Sequence, residues 1–214
     1  LGIDSKNKHV VVTTFSSHIA RLNSIVEFGK KMGRKIVFMG RSMAKYVRAA
    51  ESTGIANFTN KVEVLKYSGQ IKRKLKKIAK DRGKYLMVVT GHQGEPKSTL
   101  AKMMNGELKF KFFPEDHVIF SCKTIPTPTN IENRQKLEAN LRTFNVRIFK
   151  DIHQSGHAAR EDLRDLINLV KPQHIIPAHG ELRMTSALAD LAVEMGYKKG
   201  NNVHVMSNGE RIKL

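Results

Sequence analysis

A chain of 214 residues with 40% hydrophobic residues can bury one sizeable core, or one core and a partial second layer, which excludes a disordered tail. Its 38 Lys and Arg against 19 Asp and Glu give a formal charge of +19, which favours an anionic polymer as partner, bound tightly at low salt and weakly at high salt. The single cysteine, Cys122, excludes an internal disulfide, and no apolar run approaches the roughly 20 residues of a membrane span, so the cytoplasm is the expected location.

The elements alternate. Val10 to Thr14 reads as a buried strand, followed by a helix with apolar positions at Ile19, Leu22, Ile25, Val26 and Phe28 that stops at Gly33. Ile36 to Met39 is the next strand, Met43 to Ser52 the next helix and Val62 to Leu65 a short third strand. A helix with the stripe Ile71, Leu75, Ile78 and Ala79 carries Lys72, Arg73, Lys74, Lys76, Lys77 and Lys80 elsewhere, which reads either as a solvated face or as an RNA track. Tyr85 to Val89 is a strand running into the turn Thr90-Gly91-His92-Gln93-Gly94-Glu95-Pro96, and His117 to Ser121 another, followed by a helix that Asn130 is placed to cap. Val146 to Phe149 is predicted as a strand, Ala158 to Val170 as a helix, Gln173 to Ile176 as a strand and Leu182 to Met195 as a helix. Val203 to Met206 and Arg211 to Leu214 read as a terminal hairpin, because Asn208-Gly209 favours a type I′ turn. The βα rhythm predicts an α/β fold with a Rossmann-like, mostly parallel sheet flanked by helices and right-handed crossovers.

Ligands of such sheets bind at the carboxyl ends of the strands, so the loops there hold the candidate site. Ser16 and Ser17 follow the first strand, and Gly40-Arg41-Ser42 follows the second; hydroxyls and an arginine beside helix starts make a phosphate cradle, while Ser16 or Ser42 could equally serve as helix caps. Ser155, Gly156 and His157 precede a helix start, where backbone N–H groups favour an anion and Gly156 lets a phosphate approach; simple capping is the alternative. His179, in Pro177-Ala178-His179-Gly180-Glu181, suits a zinc ligand with Glu181 orienting it, although no H-x-H or C-x-x-C cluster accompanies it.

Taken together and in this order, five stretches resemble the β-CASP region of archaeal-type ribonuclease J, in the metallo-β-lactamase superfamily. They are Thr13-Thr14-Phe15-Ser16-Ser17-His18-Ile19-Ala20-Arg21, Gly40-Arg41-Ser42-Met43, Thr90-Gly91-His92-Gln93-Gly94-Glu95-Pro96, His153-Gln154-Ser155-Gly156-His157-Ala158 and Pro177-Ala178-His179-Gly180-Glu181. The resemblance implies a β-CASP domain over residues 1–155 and the C-terminal portion of a metallo-β-lactamase domain over 156–214. It implies that His157 contacts the scissile phosphate, that His179 is a zinc ligand, and that Ser155, Gly156 and the Ser16–Ser17 loop hold RNA phosphates, including the one that fixes the 5′ end. His92 stands where many relatives are expected to carry serine, and the resemblance gives it no role.

The implied activity is hydrolysis of RNA phosphodiester bonds by a hydroxide on two zinc ions, acting 5′ to 3′ on single-stranded RNA. The remaining metal ligands, an H-x-H-x-D-H segment among them, are missing from this sequence, so the chain is expected to be an inactive fragment whose partner is an N-terminal lactamase portion. A homodimer is left open. Three other readings stay open as well: a non-catalytic RNA-binding α/β module, a cleavage-and-polyadenylation-type endoribonuclease, and a doubly wound nucleotide-binding enzyme. The last is disfavoured by the absence of G-x-G-x-x-G and G-x-x-x-x-G-K-[ST].

Overall fold

The computed structural model describes residues 5–150, 158 and 160–213. The chain forms two compact units, Leu1–Gln154 and Ser155–Leu214.

The first unit is a six-stranded sheet of β1 (Val10–Thr13), β2 (Lys35–Met39), β3 (Val62–Leu65), β4 (Tyr85–Val89), β5 (His117–Phe120) and β6 (Arg147–Phe149). Its order is β3-β2-β4-β1-β5-β6, and every pairing is parallel. Helices α1 (Ile19–Lys31), α2 (Arg41–Ser52), α3 (Ser68–Ile78), α4 (Thr99–Met104) and α5 (Pro128–Arg142) follow β1 to β5 in turn. Burial on both faces explains why the strands are apolar throughout rather than alternating with polar residues.

Strand periodicity of two separates the core into two layers. Val10, Val12, Ile36, Phe38, Leu86, Val88 and Ile119 pack with Leu22, Ile25 and Val26 of α1 and Met43, Val47 and Ala50 of α2. Their neighbours Val11, Val37, Met39, Met87, Val89, Val118 and Phe120 pack on the other side with Ile71, Leu75 and Ile78 of α3, Leu100 and Met103 of α4, and Leu137 and Leu141 of α5. Right-handed crossovers account for this: β1 to β2 and β2 to β3 run one way along the sheet, whereas β3 to β4, β4 to β5 and β5 to β6 run the other. The helix after β1 and those after its two neighbours, β4 and β5, therefore leave toward opposite faces. A crevice opens between their starting loops, at a topological switch point.

At the opposite, amino edge a buried ionic group ties β1 to β5. Asp116 accepts from the His9 backbone N–H at 2.9 Å, from the Phe113 N–H at 2.8 Å and from Arg82, and its Oδ2 lies 2.9 Å from His9 Nδ1. Burial pushes the Asp116 carboxyl up, but the bonds from His9, the Phe113 backbone and Arg82 together hold it below the ordinary value.

The second unit packs α6 (Arg160–Val170) on α7 (Leu182–Glu194) around Ile167, Ile175, Ala189, Ala192 and Val203. The strands predicted at Gln173 to Ile176 and Val203 to Met206 reduce to a parallel bridge between Ile175 and Val203. Among the described residues the predicted terminal hairpin does not form. The backbone groups of Val203's neighbours are taken by Ile175: its N–H donates to the Asn202 carbonyl at 2.8 Å, and the His204 N–H donates to its carbonyl at 2.9 Å. The turn at Ser207 to Glu210 exists, closed by a 3.1 Å bond from the Glu210 N–H to the Ser207 carbonyl. Gly209 has φ 81° while Asn208 is not in the left-handed region. That is the pattern of a type II turn, which splays flanking strands, and not of the type I′ turn expected.

Candidate functional site

Along the carboxyl edge the loops after β2, β4, β1 and β5 stand side by side in that order. The loop after β2 is short: Gly40, at φ 126°, is the N-cap of α2, and the helix starts at Arg41, two residues earlier than the periodicity suggests. Arg41 and Ser42 thus occupy the first turn. Gly40 offers no side-chain cap, so among the described residues no side chain closes the first N–H groups of α2, and both Arg41 and Ser42 are exposed. Ser42 is not a cap, and Ser16 is not one either. The N-cap of α1 is His18, whose Nδ1 accepts from the Arg21 N–H at 3.3 Å. Ser16 is half-buried and Ser17 exposed in the turn between β1 and α1. One helix start is therefore closed by an imidazole and the other by no described side chain, which sequence alone did not distinguish.

Because β4 lies between β2 and β1, the Ser16–Ser17 loop and the Arg41–Ser42 turn stand two strand spacings apart, roughly 10 Å, on the same edge. The β4 turn fills the interval. Thr99, at the start of α4, donates its N–H to Thr90 Oγ1 at 3.2 Å and its hydroxyl to the Met39 carbonyl at 3.4 Å, joining the β2 and β4 loops. The Thr14 N–H donates to the Val89 carbonyl at 3.2 Å, joining β1 and β4. On the β5 side, Ser121 donates its hydroxyl to the Thr13 carbonyl at 3.0 Å, and Arg21 donates to the Ser121 carbonyl. Buried Cys122 lies 3.4 Å from Thr14 Oγ1, consistent with a packing residue rather than a nucleophile.

His92 sits at the centre of this edge, 2% exposed, with its ring 3.7 Å from that of Phe15 in an edge-on contact. Burial pushes the imidazole down to about 4; Glu95 opposes, Arg134 adds to the depression, and the Thr14 backbone pulls weakly upward. Among the described residues neither ring nitrogen has a hydrogen bond of proper geometry, and Thr13 Oγ1 is also buried without a partner there. The turn is held from below. Arg134 on α5 donates to the His92 carbonyl at 2.6 Å, and Gln93 bridges the next loop, donating to the Lys123 carbonyl at 3.1 Å and accepting from the Ile125 N–H at 2.8 Å. Asn130 does not cap α5; Thr127 does, accepting the Asn130 N–H at 3.3 Å, with Pro128 in the first turn where its missing N–H costs nothing. His92, Gln93 and Arg134 are the residues whose positions sequence reasoning missed. The paired glycines Gly91 and Gly94 around His92 were the available signal.

Ser155, Gly156 and His157 lie outside the described residues. His179 belongs to the second unit, exposed in the loop before α7, with φ 61°. A left-handed histidine followed by Gly180, where a Cβ would come within 2.9 Å of Met184 Cβ, marks a constrained turn of the sort found at functional positions. Glu181 is the N-cap of α7 through its backbone and does not use its carboxylate as a cap. Among the described residues no group of three or more His, Cys, Asp and Glu side chains is placed to hold a metal ion. One exposed imidazole cannot complete a tetrahedral zinc site, so the described residues do not by themselves fit that metal.

Comparison with known proteins agrees with this architecture. The family model described as "Ribonuclease J, beta-CASP domain" matches residues 7–137, and the one described as "Zn-dependent metallo-hydrolase RNA specificity domain" matches residues 144–206. Ribonuclease J of Pyrococcus abyssi is 44% identical over 205 residues, covering 96% of this chain and 45% of the relative. Ribonuclease J of Methanocaldococcus jannaschii is 42% identical over 211 residues, covering 98% of this chain and 47% of the relative. Ribonuclease J of Sinorhizobium meliloti is 31% identical over 210 residues, covering 96% and 35%. The chain spans about half the length of the archaeal relatives it matches. With its parallel sheet and both family models in sequence, this chain belongs to the ribonuclease J family of β-CASP proteins.

Proposed function

We propose that this chain is the RNA-gripping part of a metal-dependent ribonuclease that degrades single-stranded RNA from its 5′ end. In this reading residues 1–155 are the β-CASP domain and residues 156–214 the C-terminal portion of the metallo-β-lactamase domain. The observation that carries the reading is the carboxyl edge of the sheet, where the start of α2, bearing exposed Arg41 and Ser42 and uncapped by any described side chain, stands two strands from Ser16 and Ser17. Backbone N–H groups, a guanidinium and hydroxyls are donors for phosphate oxygens, and contacts of this kind carry little sequence choice. His92, neutral at working pH, adds no charge to this edge and acts by holding the loop that bears Ser16 through Phe15.

Zinc, held in the complete protein, would supply an activated water for the hydrolysis. His179 contributes one ligand in the complete protein, the others coming from an N-terminal lactamase portion. Exposed Leu166, Leu169, Val170, Leu182 and Met184 on α6 and α7 support such a covering partner, because apolar surface gathered on two helices is ordinarily buried by another layer. Ser155 and Gly156 hold phosphate, and His157 donates to the scissile phosphate as charge develops there. The 214-residue chain alone binds RNA without cleaving it.

The test is to join the chain to the lactamase portion and assay 5′-labelled single-stranded RNA with and without zinc. Progressive, zinc-dependent release from the 5′ end is expected. Internal cuts would move the reading to an endoribonuclease of the cleavage-and-polyadenylation type, and binding without any cleavage would reduce it to an RNA-binding module.

A further inference from the structure

We infer that the outward face of α3 is a second RNA-docking track, continuous with the Arg41–Ser42 turn, that takes a single-stranded segment running away from the crevice. The inference rests on the reading above that RNA is the partner, and it adds where the rest of the strand lies.

The arrangement starts at the edge of the sheet. β3 is the outermost strand, and its end is tied to the candidate site by a 2.9 Å bond from the Gly40 N–H to the Leu65 carbonyl. The next two residues, Lys66 and Tyr67, therefore stand beside Arg41. Gln70 fixes this corner, its Oε1 accepting from the Lys66 N–H at 3.2 Å and the Tyr67 N–H at 3.1 Å. Tyr67 is 54% exposed, and the Lys66 ammonium lies 5.0 Å from its ring centroid. An exposed ring with a cation against it is a platform for an unstacked base, a feature that a merely solubilising charge cluster has no need of.

From that corner α3 runs back toward the amino edge. Ile71, Leu75 and Ile78 are buried, and at 100° per residue Arg73, Lys76, Lys77 and Lys80 fall within about 60° of the opposite pole. All four are exposed, and none has an acidic partner among the described residues. The cations that do have partners are set aside from this line: Lys74 pairs with Glu63 and lies 4.6 Å from the Tyr85 ring centroid, and Lys84 pairs with Asp81 at 3.3 Å. The unpaired four extend over about 10 Å of helix axis and its following turn. A base platform at one end and a phosphate-spaced row of free cations beyond it fit a single strand; a duplex would offer Tyr67 no base to stack.

The experiment measures affinity of the 214-residue chain for single-stranded RNAs of about 4 and about 16 nucleotides across a salt series. Wild type is expected to bind the longer RNA much more tightly. A variant with Arg73→Gln, Lys76→Gln, Lys77→Gln and Lys80→Gln should lose about 30-fold for the long RNA, change less than about twofold for the short one, and show a log–log salt slope shallower by about 3. Tyr67→Ala should cost roughly 10-fold on the long RNA alone. Replacing the three lysines by arginine should retain binding, which separates charge from helix disruption. Equal losses for both RNAs, or none for either, would overturn the track while leaving the crevice reading intact. Failure of wild type to bind either RNA would overturn both. Charge-dependent binding to phosphatidylserine vesicles with RNA affinity untouched would make the face a lipid surface and also end the inference.

Discussion

Gly94 in the β4 turn lies directly on the backbone of Asn133 in α5, so closely that a Cβ would come within 2.5 Å of the Asn133 carbonyl oxygen. Its φ is 80°, a conformation that L residues avoid, so both space and backbone geometry demand glycine here. Gly94→Ala should destabilise the chain by about 3 kcal/mol in urea unfolding with the slope unchanged, because α5 must move or the turn must open. The same variant should loosen RNA binding, since the turn it distorts holds His92 and, through Phe15, the Ser16 loop.

His92 predicts how stability depends on pH. Its ordinary value of 6.5 falls to about 4 in the fold, chiefly through burial, so between those values the unfolded chain binds the extra proton. Stability should be full above pH 6.5 and fall as pH drops toward 4, by about 3 kcal/mol in total from this group. His117, also lowered by burial first and then by Arg147 and Arg34, acts in the same direction. The unfolding midpoint at pH 7 and pH 5 should therefore differ more for wild type than for His92→Phe; equal differences would mean that His92 is not held neutral.

Asp116 provides a contrast at the opposite edge. Removing it leaves Arg82 and His9 facing a buried void, and Asp116→Ala should cost about 3 kcal/mol, the lower part of the range because Arg82 is partly exposed. Its carboxyl is depressed, so its contribution is present above the ordinary carboxylate value and is lost as pH falls below it. RNA affinity of the variant at a temperature where it remains folded should match wild type, because the amino edge takes no part in the site.

For the protein completed by the lactamase portion, His157→Ala should lower kcat by about 10²- to 10³-fold while RNA affinity changes little. Single-turnover assays alongside binding titrations separate the two. Matching losses in affinity and turnover would make His157 a binding residue only.

Much of the sheet was legible because strands buried on both faces appear as short, continuous apolar runs, as in Tyr85 to Val89, and amphipathic helices separate them. Strand order was not. Runs such as Val10 to Thr13 and Ile36 to Met39 are apolar on both faces, so nothing in them says that β4 inserts between β2 and β1, and the distance from Ser16 to Arg41 depends on that insertion. The hairpin expectation failed because Asn208-Gly209 is a local turn signal, whereas Val203 was claimed by Ile175, a partner nearly thirty residues earlier. The cap of α5 was misread because Thr127 and Asn130 are both good caps, and only Pro128 between them indicates which one starts the helix.

The central claim is that RNA is gripped at the carboxyl edge of the sheet and not by charge spread over the whole surface. Arg41 and Lys35 allow the most direct test, since both are exposed cations of the β2 segment, one at its carboxyl end and one at its amino end. Affinity for single-stranded RNA across a salt series should fall about 10-fold for Arg41→Ala, with a slope shallower by about 0.7, and stay within about twofold of wild type for Lys35→Ala. Equal effects of the two substitutions would contradict the account.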